Sequence, residues 1–501
     1  MLVRQVHVHH TNDSIARLMA ISCHPEIKKG VRTVRVDLRC VDTELDRSFF
    51  SFATNILAWL ERGVFSKNTA LCLPPKADLD GIRKAHSVIQ SWCRLLSVRP
   101  PFTEVEESPE PYFLESSDET SETEQESDPE QGSETDEKME TDEGLETEED
   151  KMNLLFLRML HEEHQRLSAE YEALARNGTF SETVGIAVAR MPYATDLRFD
   201  DRAPSRLWED MELSIYHGDI YGAVYRHLLH PGAEIMRGDS IDKPQTYNSI
   251  LQLPIAIQDA GGLIHSIKIT VIDRIPDRAM KFTARTLGRL GKAVEPLQRF
   301  SLQYGKRDPN RVDPVRHVLP RRPALWEGHR DWIRLFCRAG LQTLDLEMFV
   351  APELNAQGPA LGTVATLFDV AVTRSNLRDI HLDGVFFTKA EILSLLKAVP
   401  STLNSVTMSD AFLLDGDWTD VFDAMAAKSY TGSVRFYLLK GGGFAPFEYY
   451  DHLESSYYKR AAQYVVGEIH YNPWRVVEED TESSDTNSAS SFDWNSDSGD
   501  D

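Results

Sequence analysis

Five times in the C-terminal half, a helical stretch gives way to a six-residue run with the same spacing of apolar anchors, at positions one, four and six. The runs are "LQRFSL" (Leu297, Phe300, Leu302), "LQTLDL" (Leu341, Leu344, Leu346), "LRDIHL" (Leu377, Ile380, Leu382), "LNSVTM" (Leu403, Val406, Met408) and "SVRFYL", which opens on Ser433. Their starts lie 44, 36, 26 and 30 residues apart. At 41% hydrophobic content, three anchors alone match about 7% of windows by chance, so the anchors do not settle the matter. The positions between them do. They are polar: Gln298, Arg299, Ser301; Gln342, Thr343, Asp345; Arg378, Asp379, His381; Asn404, Ser405, Thr407. Val434 and Tyr437 break the rule in the last run.

The start of the chain repeats the spacing in Val3, Val6, Val8 and again in Val31, Val34, Val36, with Arg4, Gln5, His7 and Arg32, Thr33, Arg35 between the anchors. Ile264 opens another, with His265, Ser266 and Lys268. Polar residues between apolar anchors, each strand following a helix, match the strand of a leucine-rich repeat, whose polar positions line one concave face. An ordinary sheet with one wet side alternates in the same way. The expected fold is α/β: an irregular leucine-rich-repeat-like solenoid of strand–helix units, interrupted by a disordered acidic insertion. Val3–Val8 reads as its first rung, packed on the helix that begins near Ser14, and a solenoid's first rung needs a cap.

The net charge of −25 is concentrated. Residues 104–150 hold 22 acids and one base, Lys138; residues 478–501 hold nine acids and no base; the rest carries about +5. Such tracts repel themselves and bury too little apolar surface to fold. The expected organisation is therefore an N-terminal α/β repeat-like segment at 1–102, a disordered acidic linker at 103–150, a helix and mixed α/β segment at 151–280, a C-terminal leucine-rich-repeat-like segment at 281–476 and an acidic tail at 477–501. No concentrated basic footprint argues for specific nucleic-acid binding. Cys23, Cys40, Cys72, Cys93 and Cys337 are scattered without a CxxC pair, as reduced and mostly buried thiols are. With no signal peptide and no run of about 18 apolar residues, a cytoplasmic or nuclear protein without membrane partners is expected, monomeric outside complexes.

Local signals place further elements. Helices are expected from Ser14 to His24-Pro25, from near Thr43 through Trp59 to Gly63, over 82–96, and over "MNLLFLRMLHEEHQRLSAEYEALARNG", which stops at Asn177-Gly178. Further helices pass through Trp332, Ile333 and Phe336, and through Leu367, Phe368 and Val370. Thr388 with Glu391 forms a capping box, and Asp417 caps a last helix. Between 180 and 280 strands are expected at Val184–Ala189 and Ile264–Val271.

The stretch "LVRQVHVHHTNDSIARLMAISCHPEIKKGVRTVRVDL", and "HPEIKKGVRTVRVDL" above all, resembles the segment that follows the F-box in F-box and leucine-rich-repeat-like proteins of filamentous fungi. "LRDIHLDGVFF" followed by a capped helix is similar to that family's later repeats. The likeness covers about half the chain. It implies a substrate receptor of a cullin-RING ubiquitin ligase, whose F-box docks a Skp-type adaptor. No LPxE-type F-box motif occurs in these 501 residues: "LPPK" at Leu73, "LPIA" at Leu253 and "LPRR" at Leu319 lack the acid. The adaptor is thus expected only if an F-box lies upstream; otherwise the chain is an F-box-less relative that binds.

Other motifs offer chemistry and are better explained without it. "HEEHQ" spaces His161 and His164 at i, i+3, where a zincin needs i, i+4; a solvated helix face accounts for it. "GDSI" resembles the nucleophile block of SGNH-type hydrolases, which would make Ser240 a nucleophile. Arg237 stands where a strand should end, and no DxxH follows, so a turn fits better. "KGGGFAP" (Gly441–Gly443) lacks the rest of a phosphate loop and reads as a loop closing the last unit. "HVHH" sets His7 and His9 on one strand face, a polar edge without ligand partners. Ser116, Ser121, Thr123, Ser127, Ser133 and Thr147, with Ser490 and Ser498, each precede an acid by three residues, the arrangement acidophilic kinases favour. No catalytic residue, cofactor or metal site is expected. The expected function is non-enzymatic protein recognition through Arg299, Gln342, Asp345, Arg378, Asp379, His381, Asn404 and Thr407. The alternatives are an acidic histone- or chromatin-binding protein, and a hydrolase at Ser240.

Overall fold

The computed structural model describes residues 3–39, 48–64, 79–96, 147–201, 219–229, 246–271, 283–304, 334–337, 340–348, 376–400, 403–428, 430, 432–442 and 455–475. Two compact units emerge, one of Met1–Cys40, Ala169–Arg202 and Asp239–Asp501, the other of Val41–Ser168 and Ala203–Gly238.

Among the described residues, the first unit is α/β and is organised by one open sheet of nine strands: β1 (Gln5–Val8), β2 (Thr33–Asp37), β3 (Asp196–Asp200), β4 (Ser266–Val271), β5 (Arg299–Tyr304), β6 (Thr343–Met348), β7 (Asp379–Asp383), β9 (Ser405–Ser409) and β11 (Ser433–Tyr437). Every neighbouring pair is parallel, and the strands stand side by side in chain order. Parallel neighbours require a crossover between them; among the described residues, helices stand in the connections from β1 to β2, β2 to β3, β3 to β4, β4 to β5, β7 to β9 and β9 to β11. Two-residue strands β8 (Phe386–Phe387), β10 (Phe412–Leu413) and β12 (Lys440–Gly441) follow β7, β9 and β11 and form a second, short parallel ladder.

Register aligns the anchors. Val6, Val34, Leu197, Ile267, Phe300, Leu344, Ile380, Val406 and Val434 form one row across all nine strands; Val8, Val36, Phe199, Ile269, Leu302, Leu346, Leu382, Met408 and Phe436 form the next. All eighteen are buried and belong to one core. Burying each such side chain contributes about 1.5–3 kcal/mol before conformational entropy is set against it.

The helices keep the same order. Helix α1 (Asn12–Cys23), capped by Thr11, packs on β1, on the short α2 (Ile27–Gly30) and on α6 (Thr179–Ala189); α6 packs on α8 (Ser249–Asp259), and α8 on α9 (Ala284–Ala293). Gly185 lets α6 and α8 touch, because a Cβ there would stand 2.8 Å from Ala256. Further on, α10 (Lys389–Ala398), α11 (Trp418–Ala426) and α12 (Ser455–Val465) pack in succession, and α12 covers β11. Thr388 and Glu391 complete the capping box of α10, and Asp417 caps α11.

Four expectations change. Residues 184–189 lie in α6, not in a strand; Phe180, Val184, Ala187 and Val188 are buried at helical spacing, and a short apolar run does not distinguish the two states. Strand β3 was not anticipated, because its first anchor is the small Ala194, 5% exposed. In β11 the inward residues are Val434 and Phe436, while Ser433, Arg435 and Tyr437 point outward. The template placed the anchors at Phe436 and Leu438, so the register is shifted by two residues, which keeps the strand's faces; Val434 becomes an anchor and Tyr437 stays outward. The long helix α5 starts at Glu148 and ends at Arg176, earlier at its start than "MNLL" suggests. The helix expected at Leu367–Val370 lies outside the described residues, as do Trp332 and Ile333.

The second unit is helical where described: α3 (Phe49–Val64), α4 (Leu79–Leu95), the part of α5 up to Ser168, and α7 (Ile220–Leu229). Phe52, Ile56, Val88, Ile89, Trp92, Leu157, Leu160 and Val224 form its core. Asp150 accepts hydrogen bonds from Ser91 Oγ at 2.6 Å and from Arg94 at 2.8 Å, while Asn153 donates to Ser91 at 2.9 Å. Hydrogen bonding by Ser91, then Thr147 and Arg94, holds the Asp150 carboxyl below its usual range although desolvation opposes this.

Candidate functional site: the polar face of the long sheet

Side chains alternate across a strand, so the rows between the buried anchors face the other way. One row runs Gln5, Thr33, Asp196, Ser266, Arg299, Thr343, Asp379, Ser405, Ser433. The next runs His7, Arg35, Arg198, Lys268, Ser301, Asp345, His381, Thr407, Arg435. A third runs Asp37, Asp200, Thr270, Gln303, Glu347, Asp383, Ser409, Tyr437. This is one continuous polar surface.

The eight residues singled out from sequence fall on four adjacent strands or their starts. Arg299 and Asp379 share the first row; Asp345, His381 and Thr407 share the second. Gln342, Arg378 and Asn404 are joined just ahead of their strands, where Arg378 N–H donates to Gln342 O at 2.7 Å and Asn404 N–H to Arg378 O at 2.6 Å. Arg299, Arg378 and Asn404 are exposed, and the other five are partly so. Strand pairing brings all eight together.

Charge divides the face. On β2 and β3 the bases have acidic partners: Arg35 donates to Asp200 at 2.7 Å and Arg198 to Asp196 at 2.9 Å. On β6 and β7 four carboxylates, Asp345, Glu347, Asp379 and Asp383, stand around His381. Ser301 Oγ donates to Asp345 Oδ2 at 2.7 Å, Gln303 Nε2 to Glu347 Oε1 at 2.8 Å, and Ser405 Oγ to Asp379 Oδ1 at 2.9 Å. Ligand atoms of Asp345, Glu347 and His381 all lie within 4.8 Å of one another, so these three could hold a metal ion. Sequence reading found Asp345 and His381 but not Glu347. The signal was the alternation Asp345-Leu346-Glu347, which continues past the six-residue template.

At the other end of the sheet, "HVHH" is built differently from the expected polar edge. His7 sits on the polar face beside Gln5, 2.9 Å away. His9 pairs with Asp37 at 3.0 Å, and Arg39 binds the same carboxylate through Nε at 2.8 and 2.9 Å. Burial opposes ionisation of Asp37, yet hydrogen bonds from Arg39 and His9 hold its carboxyl far below the usual range. His10 turns inward and is wholly buried, stacked on Phe180 with ring centroids 3.7 Å apart. Its Nδ1 lies 3.1 Å from Asp37 O and its Nε2 3.0 Å from Ser249 Oγ. A carbonyl only accepts, so Nδ1 carries the proton and Nε2 accepts from the serine.

The remaining motifs find their places. His161 and His164 are not a solvated helix face: His164 is 4% exposed, and both rings pack on Phe52, at 5.0 and 5.2 Å. They continue the apolar stripe of Leu157 and Leu160 at i+3 and i+4 spacing. Thr147 stands at the start of α5, accepting the Asp150 N–H at 3.1 Å and donating to Asp150 Oδ2 at 2.8 Å. Gly441 lies in β12 and Gly442 just beyond. Cys23 is exposed, and Cys93 and Cys337 are buried. Ser240, Gly443, Cys40, Cys72, Ser116, Ser121, Thr123, Ser127, Ser133, Ser490 and Ser498 lie outside the described residues. Among the described residues, no helix is long and apolar enough to cross a membrane.

Comparison with family models, with curated proteins and with solved structures returned no match.

Proposed function

We propose that the chain is a non-enzymatic protein-recognition module, a strand–helix solenoid of the leucine-rich-repeat kind that binds its target on the polar sheet face. The observation that carries this reading is the continuity of that face over nine parallel strands in chain order. All-parallel sheets as a rule have both faces covered. One with a wet, polar face fits stacked repeat units, which bind through broad surfaces. The resemblance to F-box and leucine-rich-repeat-like proteins points the same way and suggests a substrate receptor of a ubiquitin ligase.

Charge reversal tests it. Proteins cross-linked to the full chain in cells are compared with those of Arg378→Glu combined with Asp379→Lys, and with those of a helix-side control, Lys397→Glu. Loss of the same partners in the face variant alone supports the reading; an unchanged set refutes it. A Skp-type adaptor and a cullin among partners retained by the face variant indicate the ligase role. Partners lost only on deleting residues 104–150 indicate instead an acidic segment that binds basic proteins such as histones.

A further inference from the structure

We propose that Asp345, Glu347 and His381 form a binding site for one divalent first-row transition cation, of the Mn²⁺, Fe²⁺ or Zn²⁺ class, on the polar face between β6 and β7. The inference is independent of whether that face binds protein.

The backbone sets the geometry. Asp345 and Glu347 are two apart on β6 and share a face, and His381 on β7 is the register partner of Asp345. Their donor atoms lie within 4.8 Å of one another. His381 Nε2 stands 4.0 Å from Asp345 Oδ1, beyond hydrogen-bond range. Two donors that each stand about 2.0–2.2 Å from a shared ion are about 3–3.5 Å apart at octahedral or tetrahedral angles, so binding closes this gap by about half an ångström or more. Small rotations of the side chains close the longest gap.

A second observation concerns Asp345 itself. Its Oδ2 accepts from Ser301, but its Oδ1, the oxygen facing His381, is shielded from solvent and has no hydrogen-bond partner. Buried carboxylate oxygens are as a rule satisfied, and an ion at this point would satisfy this one. Strand β5 supplies the outer support expected of a metal site: Ser301 orients Asp345, and Gln303 orients Glu347, which is only 8% exposed. Asp383, in register with Glu347, adds negative charge beside the site.

Donor chemistry selects the ion. Two carboxylates with one imidazole suit a borderline first-row divalent cation; Ca²⁺ takes oxygen donors, and structural zinc sites are built mostly on thiolates. Three protein ligands leave coordination positions open. Asp345 and His381 side chains are 25% and 36% exposed, so those positions are reached from the solvent side of the face, by water or by a ligand group of a bound molecule.

The test uses the purified full chain freed of metal with a chelator. Mn²⁺ is titrated and its free signal followed by electron paramagnetic resonance, with Zn²⁺, Mg²⁺ and Ca²⁺ as calorimetric comparators. One Mn²⁺ per chain is expected, with Kd on the order of 100 µM or tighter, and Mg²⁺ and Ca²⁺ weaker. Asp345→Asn and His381→Gln each weaken binding about tenfold or more, while Asp259→Asn, at the end of helix α8 and paired with Arg289, changes it less than about twofold. Should a variant unfold, Mn²⁺ broadening of the His381 ring resonance in the wild-type chain decides. Failure of both Mn²⁺ and Zn²⁺ to bind at about 1 mM, binding that survives both substitutions, or an unbroadened His381 resonance overturns the proposal.

Discussion

His10 makes the stability of the first unit depend on acid. Burial, the dominant cause, lowers its pKa from 6.5 to about 4, although the Asp37 charge and carbonyl act in the opposite direction. Between those values the unfolded chain binds a proton that the native one refuses, so falling pH favours unfolding. The contribution is complete above about pH 6.5, declines as the pH drops and levels off below about 4. At pH 5 it costs about 2 kcal/mol relative to pH 7.5. Protonation would also turn Nε2 from acceptor to donor against Ser249. Urea titrations at pH 7.5 and 5.0, read by a brief hydrogen-exchange pulse on peptides of residues 12–23, follow this unit alone. The wild-type transition is expected to lose about 2 kcal/mol more between the two pH values than that of His10→Gln. The substituted side chain keeps hydrogen-bonding groups and does not titrate. Groups remote from residue 10 are common to both proteins and cancel in the difference. Equal pH dependence in the two proteins would refute the argument.

Three further outcomes follow from packing, all read by the same pulse method. Leu346→Ala empties a fully buried position in the middle of the sheet and is expected to cost about 2–5 kcal/mol, read on peptides of β6 and β7. Thr388→Ala removes the capping box of α10 and should cost about 1 kcal/mol, with lost exchange protection confined to residues 389–398. Gly432→Ala would set a Cβ 2.2 Å from Asn404 O and 2.3 Å from Leu403 O. The strain, on the order of 1–3 kcal/mol, should appear as faster exchange in β11; an unchanged rate would show that β11 approaches β9 less closely.

Much of the sheet was legible because its signal is local. Apolar anchors two apart, such as Leu344 and Leu346, declare which side of a strand is buried, and Thr388 with Glu391 declares where a helix starts. Where the local signal was weak, the reading slipped. Ala194 is too small to stand out as an anchor, the run through Val184 and Ala187 fits helix or strand equally, and Leu438 imitated the inward residue that is in fact Phe436. His161 and His164 looked polar to a reading that could not see Phe52 packed against them.

The sequence by itself determined the alternation of strand and helix, the polar rows with Arg299, Asp345 and His381, and the segregation of negative charge into two tracts, since each depends on neighbours within a few residues. Only the tertiary structure decided that β2 pairs with β3 across residues 38–195. It alone decided that His10 is buried against Phe180 and Ser249, and that Asp345 and Glu347 meet His381. Those contacts join residues far apart in the chain, and parallel register, which no local pattern encodes, determines which side chains become neighbours.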